Sequence, residues 1–257
     1  MIRRYAIAAA MLLVTAAAGT AGAQEPTFME AATHPGADQL YARSIFSAGS
    51  YERDGEEVDD LAARLKLAYG LRGTLALLVD ADWAHADREG EDETGLRFTT
   101  LRLKQRVLQR DFGPLNTWRA SLLGGASFPG DHDTGRTGDT FPRFGVVSTT
   151  ILDRHGFNAH AEWLGYRDEP DAVLLNGSYL YRLVPAEYSA ATRGAWYTMT
   201  ESLNAWTDGG DTRSDAALGL LYEATRWAWE VSLRLPVERG GSYETKYRLA
   251  TGVRWLF

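Results

Sequence analysis

Along most of this chain every second position is apolar. In residues 61–71, LAARLKLAYGL, the odd positions carry Leu61, Ala63, Leu65, Leu67, Tyr69 and Leu71, and the even ones carry Ala62, Arg64, Lys66, Ala68 and Gly70. A turn at Arg72-Gly73-Thr74 follows. Leu75, Leu77, Val79, Ala81 and Trp83 then share one face, with Asp80 and Asp82 on the other. Period two marks a strand with unlike faces, and two such runs about a short turn make an antiparallel hairpin. Followed along the chain, the pattern predicts twelve strands, near residues 39–50, 60–71, 74–86, 96–109, 116–128, 142–152, 156–167, 172–184, 187–200, 213–224, 227–238 and 244–257. Runs of about 9–14 residues suit a tilted strand that crosses a membrane. A helical period is hard to find after residue 38.

The connections alternate too. Those near 72–73, 153–155, 185–186 and 225–226 are short, and 110–115 is moderate. Those near 51–59, 87–95, 129–141 and 201–212 are long and polar, with shorter members at 168–171 and 239–243. Short turns on one rim and long loops on the other is the pattern of an outer-membrane barrel. The long set is acidic, as ERDGEEVDD and DREGEDETG show. In lipid a strand cannot leave backbone groups unpaired, so a spanning sheet must close on itself. The expected fold is therefore all-β, a single antiparallel transmembrane β-barrel of about 12 strands. A soluble β-sandwich also alternates. Three features weigh against it: the arginine- and lysine-rich polar face, the aromatics near strand ends (Tyr69, Trp83, Trp118, Tyr181, Trp227 and Trp255), and the way the chain ends.

Composition narrows the setting. Residues 1–23 read as a cleaved signal peptide: Arg3 and Arg4, an apolar run, then Ala21-Gly22-Ala23. Residues 24–38, with Pro26 and Pro35, read as an irregular periplasmic segment, and 39–257 as the barrel. There is no cysteine for a disulfide or a lipid anchor. The net charge of −7, more acidic still once Arg3 and Arg4 are removed, argues against nucleic acid as a partner. Eight tryptophans and twelve tyrosines suit a membrane–water boundary.

The last residues, TKYRLATGVRWLF, place Leu249, Val253, Trp255 and Phe257 on one face. This ending resembles the recognition signal of bacterial outer-membrane barrels. The resemblance implies handling by the barrel-assembly machinery of a Gram-negative bacterium, contact with outer-membrane lipid and lipopolysaccharide, and periplasmic termini. The segments AYGLRGTLALLV, LRLKQRVL, GGASFPGDHDTG and GSYLYRLVPAEYSA carry a further likeness. From about residue 60 to 257 the order of features resembles the outer-membrane transporter family named for the meta-pathway of phenol degradation. That resemblance implies passage of small hydrophobic or aromatic compounds and carries over no catalytic residue.

The candidate site is the lumen face. The alternation places there Arg43, Arg64, Lys66, Arg102, Lys104, Arg106, Arg119, Arg182, Arg193, Arg234, Lys246, Arg248 and Arg254, opposed by Asp80, Asp82, Glu162, Glu223, Glu230 and Glu244. A basic lining attracts anions. The competing interpretation is that these charges interlock and replace a hydrophobic core, since twelve strands lie between filled and open barrels. No metal site is expected: the five histidines, His34, His85, His132, His155 and His160, are scattered, and His160 with Glu162 is only a pair. DHDTGRTGD at 131–139 lacks the terminal glutamate of a calcium loop. No histidine is followed by serine two residues on, so no nucleophile–base pair shares a strand face. The expectation is a passive channel with no cofactor and a small-molecule solute. Its rivals are a non-transporting structural or interaction barrel and an outer-membrane lipid hydrolase.

Overall fold

The structure is a computed structural model that describes residues 25–53, 55–88, 91–113, 116–131, 139–189, 192–238 and 243–257. The expected signal peptide, and His132 with most of the 131–139 loop, lie outside the described residues. Twelve strands form one sheet: β1 (Leu40–Arg53), β2 (Glu56–Arg72), β3 (Leu75–Arg88), β4 (Glu91–Asp111), β5 (Thr117–Pro129), β6 (Phe141–Leu152), β7 (His155–Leu164), β8 (Ala172–Val184), β9 (Gly194–Thr207), β10 (Thr212–Ala224), β11 (Trp227–Glu238) and β12 (Tyr243–Leu256). Each strand pairs antiparallel with its neighbours in sequence, and β12 returns to β1 through pairs such as Tyr41↔Leu256 and Ala48↔Leu249. The barrel is closed, which leaves no strand edge.

The two faces sort as the alternation requires. Outward lie Leu61, Leu65, Leu101, Leu122, Val146, Leu175, Leu218, Leu233, Val237 and Leu249, all exposed. This apolar belt is flanked by aromatics. Towards the short turns stand Tyr69, Trp118, Phe157, Trp196, Trp227 and Trp255. Towards the long connections stand Trp83, Phe128, Phe144, Trp163, Trp206 and Tyr247. Several touch across strands, among them Trp196–Tyr222 at 5.0 Å and Tyr222–Trp227 at 5.3 Å between ring centroids. Two aromatic girdles about an apolar band mark a barrel surface suited to lipid.

The structure departs from the sequence pattern in three places. The acidic stretches near 51–59 and 87–95 are mostly strand, not loop: β1 runs to Arg53, β2 starts at Glu56, β3 runs to Arg88 and β4 starts at Glu91. Antiparallel pairing satisfies the backbone wherever the partner strand continues, whatever side chains it carries. Strand β9 begins at Gly194 rather than near 187 and runs to Thr207, so the connection expected at 201–212 is only 208–211. Pro185, just past β8, has no N–H to donate to a ladder. Residues beyond it instead fold over the lumen: the Arg182 guanidinium donates to Ala186 O at 3.2 Å and lies 4.3 Å over the Tyr188 ring. Finally, residues 25–34 lie inside the barrel rather than leading up to it from the periplasm. Glu25, Pro26, Thr27, Met29, Glu30, Ala31, Ala32 and Thr33 are all buried.

Candidate functional site

The internal segment is irregular, so its peptide groups need partners other than a ladder. The wall provides them. Thr27 N–H and Phe28 N–H donate to the Glu201 carboxylate of β9 at 2.9 and 3.0 Å. Ala32 N–H donates to Thr149 Oγ1 of β6 at 2.8 Å, and Arg43 of β1 donates to Pro26 O at 2.8 Å. Lys104 Nζ donates to Ala31 O. Near the short turns Asp38 N–H donates to Gly70 O at 2.8 Å. The chain enters there, reaches the middle of the lumen at Phe28–Glu30, and folds back: Thr33 Oγ1 donates to Glu25, whose carboxylate also accepts from Tyr41 at 2.5 Å.

Glu30 is the electrostatic centre. Lys66 of β2 donates to its Oε2, Lys104 of β4 to its Oε1 at 2.8 Å, and Arg102 of β4 lies 3.6 Å away. Burial by itself would raise this carboxyl, but Lys104, Lys66 and Arg102 hold it well below the ordinary 4.5. The His34 imidazole meets Ser121 Oγ at 3.1 Å. Burial, then the charges of Lys104 and Arg106, push its pKa down to about 3, so it stays neutral.

Around this centre the wall carries its own ion pairs. Arg102 meets Asp80 at 3.0 Å and Glu162 at 3.2 Å; Arg143 also meets Glu162. Arg43 donates to Glu230 at 2.8 Å. Asp60 accepts from Arg97 and Arg248, each at 2.7 Å, and Asp215 accepts from Arg234 Nε at 2.9 Å. Glycines opposite make room for these side chains. Gly252 faces Glu230 in the register, and a Cβ there would come within 2.6 Å of the carboxylate.

The segment divides the lumen into two chambers. The larger, about 1110 Å³, opens on the short-turn rim and is lined by eight Lys/Arg against five Asp/Glu, so its field favours anions. The smaller, about 390 Å³, lies on the long-connection side and also has a cationic excess, with nine Lys/Arg lining it against four Asp/Glu. Glu30 and Lys66 line both chambers.

Arg43, Lys66, Arg102, Lys104, Glu162, Arg182, Glu230 and Arg254 are buried in the interior. Arg64, Asp80, Asp82, Arg106, Arg119, Arg234 and Arg248 line the chambers, and so does Glu223. Arg193, which precedes β9 and is exposed, lines the larger chamber at its mouth. Two expectations are corrected, at Lys246 and at Glu244. Lys246 sits in a bulge of β12, where the register shifts between Ser50 and Tyr51, and it pairs with Glu57 at 2.8 Å near the long connections. The bulge turns the alternation over, so Thr245 faces the lumen and Glu244 does not. The sequence reading missed Asp60, Arg97, Arg143, Glu201 and Asp215. Asp60 and Arg143 keep the parity of their inward neighbours and were within its reach. Arg97 sits in the bulge between Asp82 and Trp83, where parity fails. On the outer face, Leu249 and Trp255 are exposed, and Phe257 pairs by two backbone hydrogen bonds with Leu40, at 2.8 and 3.2 Å.

Among the described residues no group of three His, Cys, Asp or Glu converges as a metal site would require. No family model matches the sequence, and no curated protein matches it. In structure the chain is similar to an outer membrane channel from Pseudomonas putida F1, with a TM-score of 0.59 and 12% identity over 91% of this chain and 99% of that one. It is also similar to the NanC porin (TM-score 0.51, 10% identity, 84% and 98% covered) and to LpxR from Salmonella typhimurium (TM-score 0.51, 9% identity, 85% and 100% covered). At these identities the likeness is one of architecture. The chain has the closed, 12-stranded antiparallel fold of the outer-membrane β-barrels.

Proposed function

We propose that the protein is an outer-membrane channel for passive passage of small solutes, with anions favoured and with its own N-terminal segment set across the path. The observation that carries this reading is the lumen itself: two chambers lined by ionisable side chains, separated by residues that belong to no strand. The fold it shares with an outer membrane channel and a porin supports the same reading, and the apolar belt with its two girdles supports a lipid setting. In this setting the belt meets outer-membrane lipid and lipopolysaccharide. The short turns and both termini face the periplasm, and β12 with Phe257 is the element that the barrel-assembly machinery recognises. The resemblance to the meta-pathway transporters favours solutes with a hydrophobic or aromatic body.

A second reading has an observation of its own. Arg43–Glu230, Arg102–Glu162 and Arg234–Asp215 tie strands of the wall together, the second reaching from β4 to β7, as in a structural barrel that passes nothing. Planar-bilayer recording of the full chain and of a variant lacking residues 25–36 separates the two. The channel reading expects small, flickering conductance from the full chain and a several-fold larger, steady conductance from the deletion. If neither conducts, the barrel is structural.

A further inference from the structure

Lys66 and Lys104 differ from the buried arginines that are paired on the wall; like Arg254, which meets Glu25 at 3.6 Å, they meet a carboxylate of the internal segment. Arg43, Arg102, Arg143, Arg234 and Arg248 each have a carboxylate on the wall. Among the described residues the two lysines have Glu30 as their ion-pair partner and no other, and Glu30 belongs to the internal segment. Removing an opposite charge from buried ammonium groups is costly. A barrel that needed only cross-bracing would hold that carboxylate on a strand, where it cannot leave. Here it is carried by a stretch that belongs to no strand, held otherwise by hydrogen bonds with wall side chains and by Glu25, which lies 3.6 Å from Arg254. Residues 25–38 contain Glu25, Glu30 and Asp38 and no lysine or arginine, so the segment is an acidic peptide in a basic lumen.

We propose that Lys66, Lys104 and Arg102 form a carboxylate-binding site at mid-lumen, and that Glu30 fills it as a tethered competitor of a small organic anion. The proposal rests on the channel reading and names the solute class for it. The site stands where both chambers meet, so an anion crossing from either side encounters it. Its surroundings specify the rest of the ligand. Ala68, Ala76, Leu78, Leu123 and Val147 form an apolar cluster beside the cations, and Ala32 of the segment packs into it. Ala68 and Leu78 line the larger chamber together with Lys66 and Lys104. A carboxylate on a compact apolar body matches that combination, with the head on the lysines and the body where Ala32 now lies. Solute and segment then exclude one another, and the arriving anion takes over the charge that holds the segment in place.

The test uses benzoate as probe and benzyl alcohol as its uncharged counterpart. Calorimetry in detergent would compare the full chain, Glu30→Ala, and Glu30→Ala combined with Lys66→Gln and Lys104→Gln. Closure of each barrel is checked by heat-modifiable electrophoretic mobility. Benzoate is expected to bind Glu30→Ala at least tenfold tighter than the full chain, while the triple variant binds benzoate no better than benzyl alcohol. If Glu30→Ala fails to close, the variant lacking residues 25–36 clears the same site without a substitution. Benzoate binding no tighter than to the full chain, or binding that survives loss of both lysines, overturns the proposal. Conductance of the deletion variant judges the channel reading separately: a conducting barrel with no benzoate preference sinks this inference and leaves that reading standing.

Discussion

At the scale of single residues, the interior is held by charge. Arg43 and Glu230 are both almost wholly buried and bonded to each other. Removing one partner of such a pair leaves an uncompensated charge and costs about 3–5 kcal/mol, whereas replacing both by apolar groups is close to neutral. Arg43→Met is therefore expected to lower the unfolding free energy in a lipid or detergent titration by about 3 kcal/mol. The double variant Arg43→Met with Glu230→Leu should recover most of that loss. Protons act on the internal segment through His34 and Glu30. Both have lowered pKa values in place, so the unseated segment binds more protons and acid favours release. The contribution of His34 is full above its ordinary 6.5 and is lost as the pH falls towards about 3. That of Glu30 is full above 4.5 and is lost below it, towards its lower value in place. Protection factors of the Thr27, Phe28 and Ala32 amides, taken relative to the intrinsic exchange rate at each pH, are expected to fall from pH 6.5 downward. In His34→Gln the change should begin only below about pH 4.5, the unperturbed carboxylate range.

At the scale of elements, two junctions decide how the barrel is completed. The first is where the segment crosses the rim. Gly70 of β2 lies against the Gly36 and Pro35 carbonyls, and a Cβ there would overlap Gly36 O outright. Gly70→Ala should leave β2 paired but displace the incoming chain, raising the conductance of the full protein towards that of the deletion variant. An unchanged conductance would show that the crossing tolerates a shift. The second junction is β12. Its alternation gave the outward placement of Leu249 and Trp255 and the inward placement of Arg248 and Arg254, which the structure shows. It failed at Lys246 because a bulge adds one residue to a strand and reverses the parity beyond it. Sequence periodicity registers faces but not such an insertion. Lys246→Ala, at an exposed rim pair with Glu57, should leave the denaturation midpoint nearly unchanged. Deletion of Phe257 removes the two backbone bonds to Leu40 at the seam. Loss of insertion in cells, scored by outer-membrane fractionation, is the expected result if β12 is the assembly signal.

At the scale of the whole molecule, an acidic protein encloses a basic lumen. Glu93, Asp92, Asp59 and Glu57 stand near the long-connection rim, outside the chambers, whereas arginine and lysine outnumber carboxylates within. A low-dielectric wall focuses the field of that excess on the path. In the variant lacking residues 25–36, anions are expected to be selected over cations. Replacing Arg106 and Arg119 together by glutamate should shift the reversal potential in a salt gradient towards cation preference. Selectivity that survives this double change would locate the filter elsewhere.

Alternation and strand count are local properties, so the sequence by itself determined that the chain is a twelve-stranded closed barrel with a charged interior. A period-two pattern needs only nearest neighbours to specify which face a residue takes, and closure follows from the need to pair every backbone group. What the lumen does with its charge was decided by tertiary structure. The same string of arginines and lysines is compatible with an open basic path or a braced core, because alternation says that Lys66 and Glu162 point inward but not whom they meet. Only the fold brings β2 and β4 around one carboxylate. Only the fold shows that this carboxylate comes from Glu30, whose segment carries no period at all: a stretch that borrows its hydrogen-bond partners from the wall leaves no repeating mark in its own sequence.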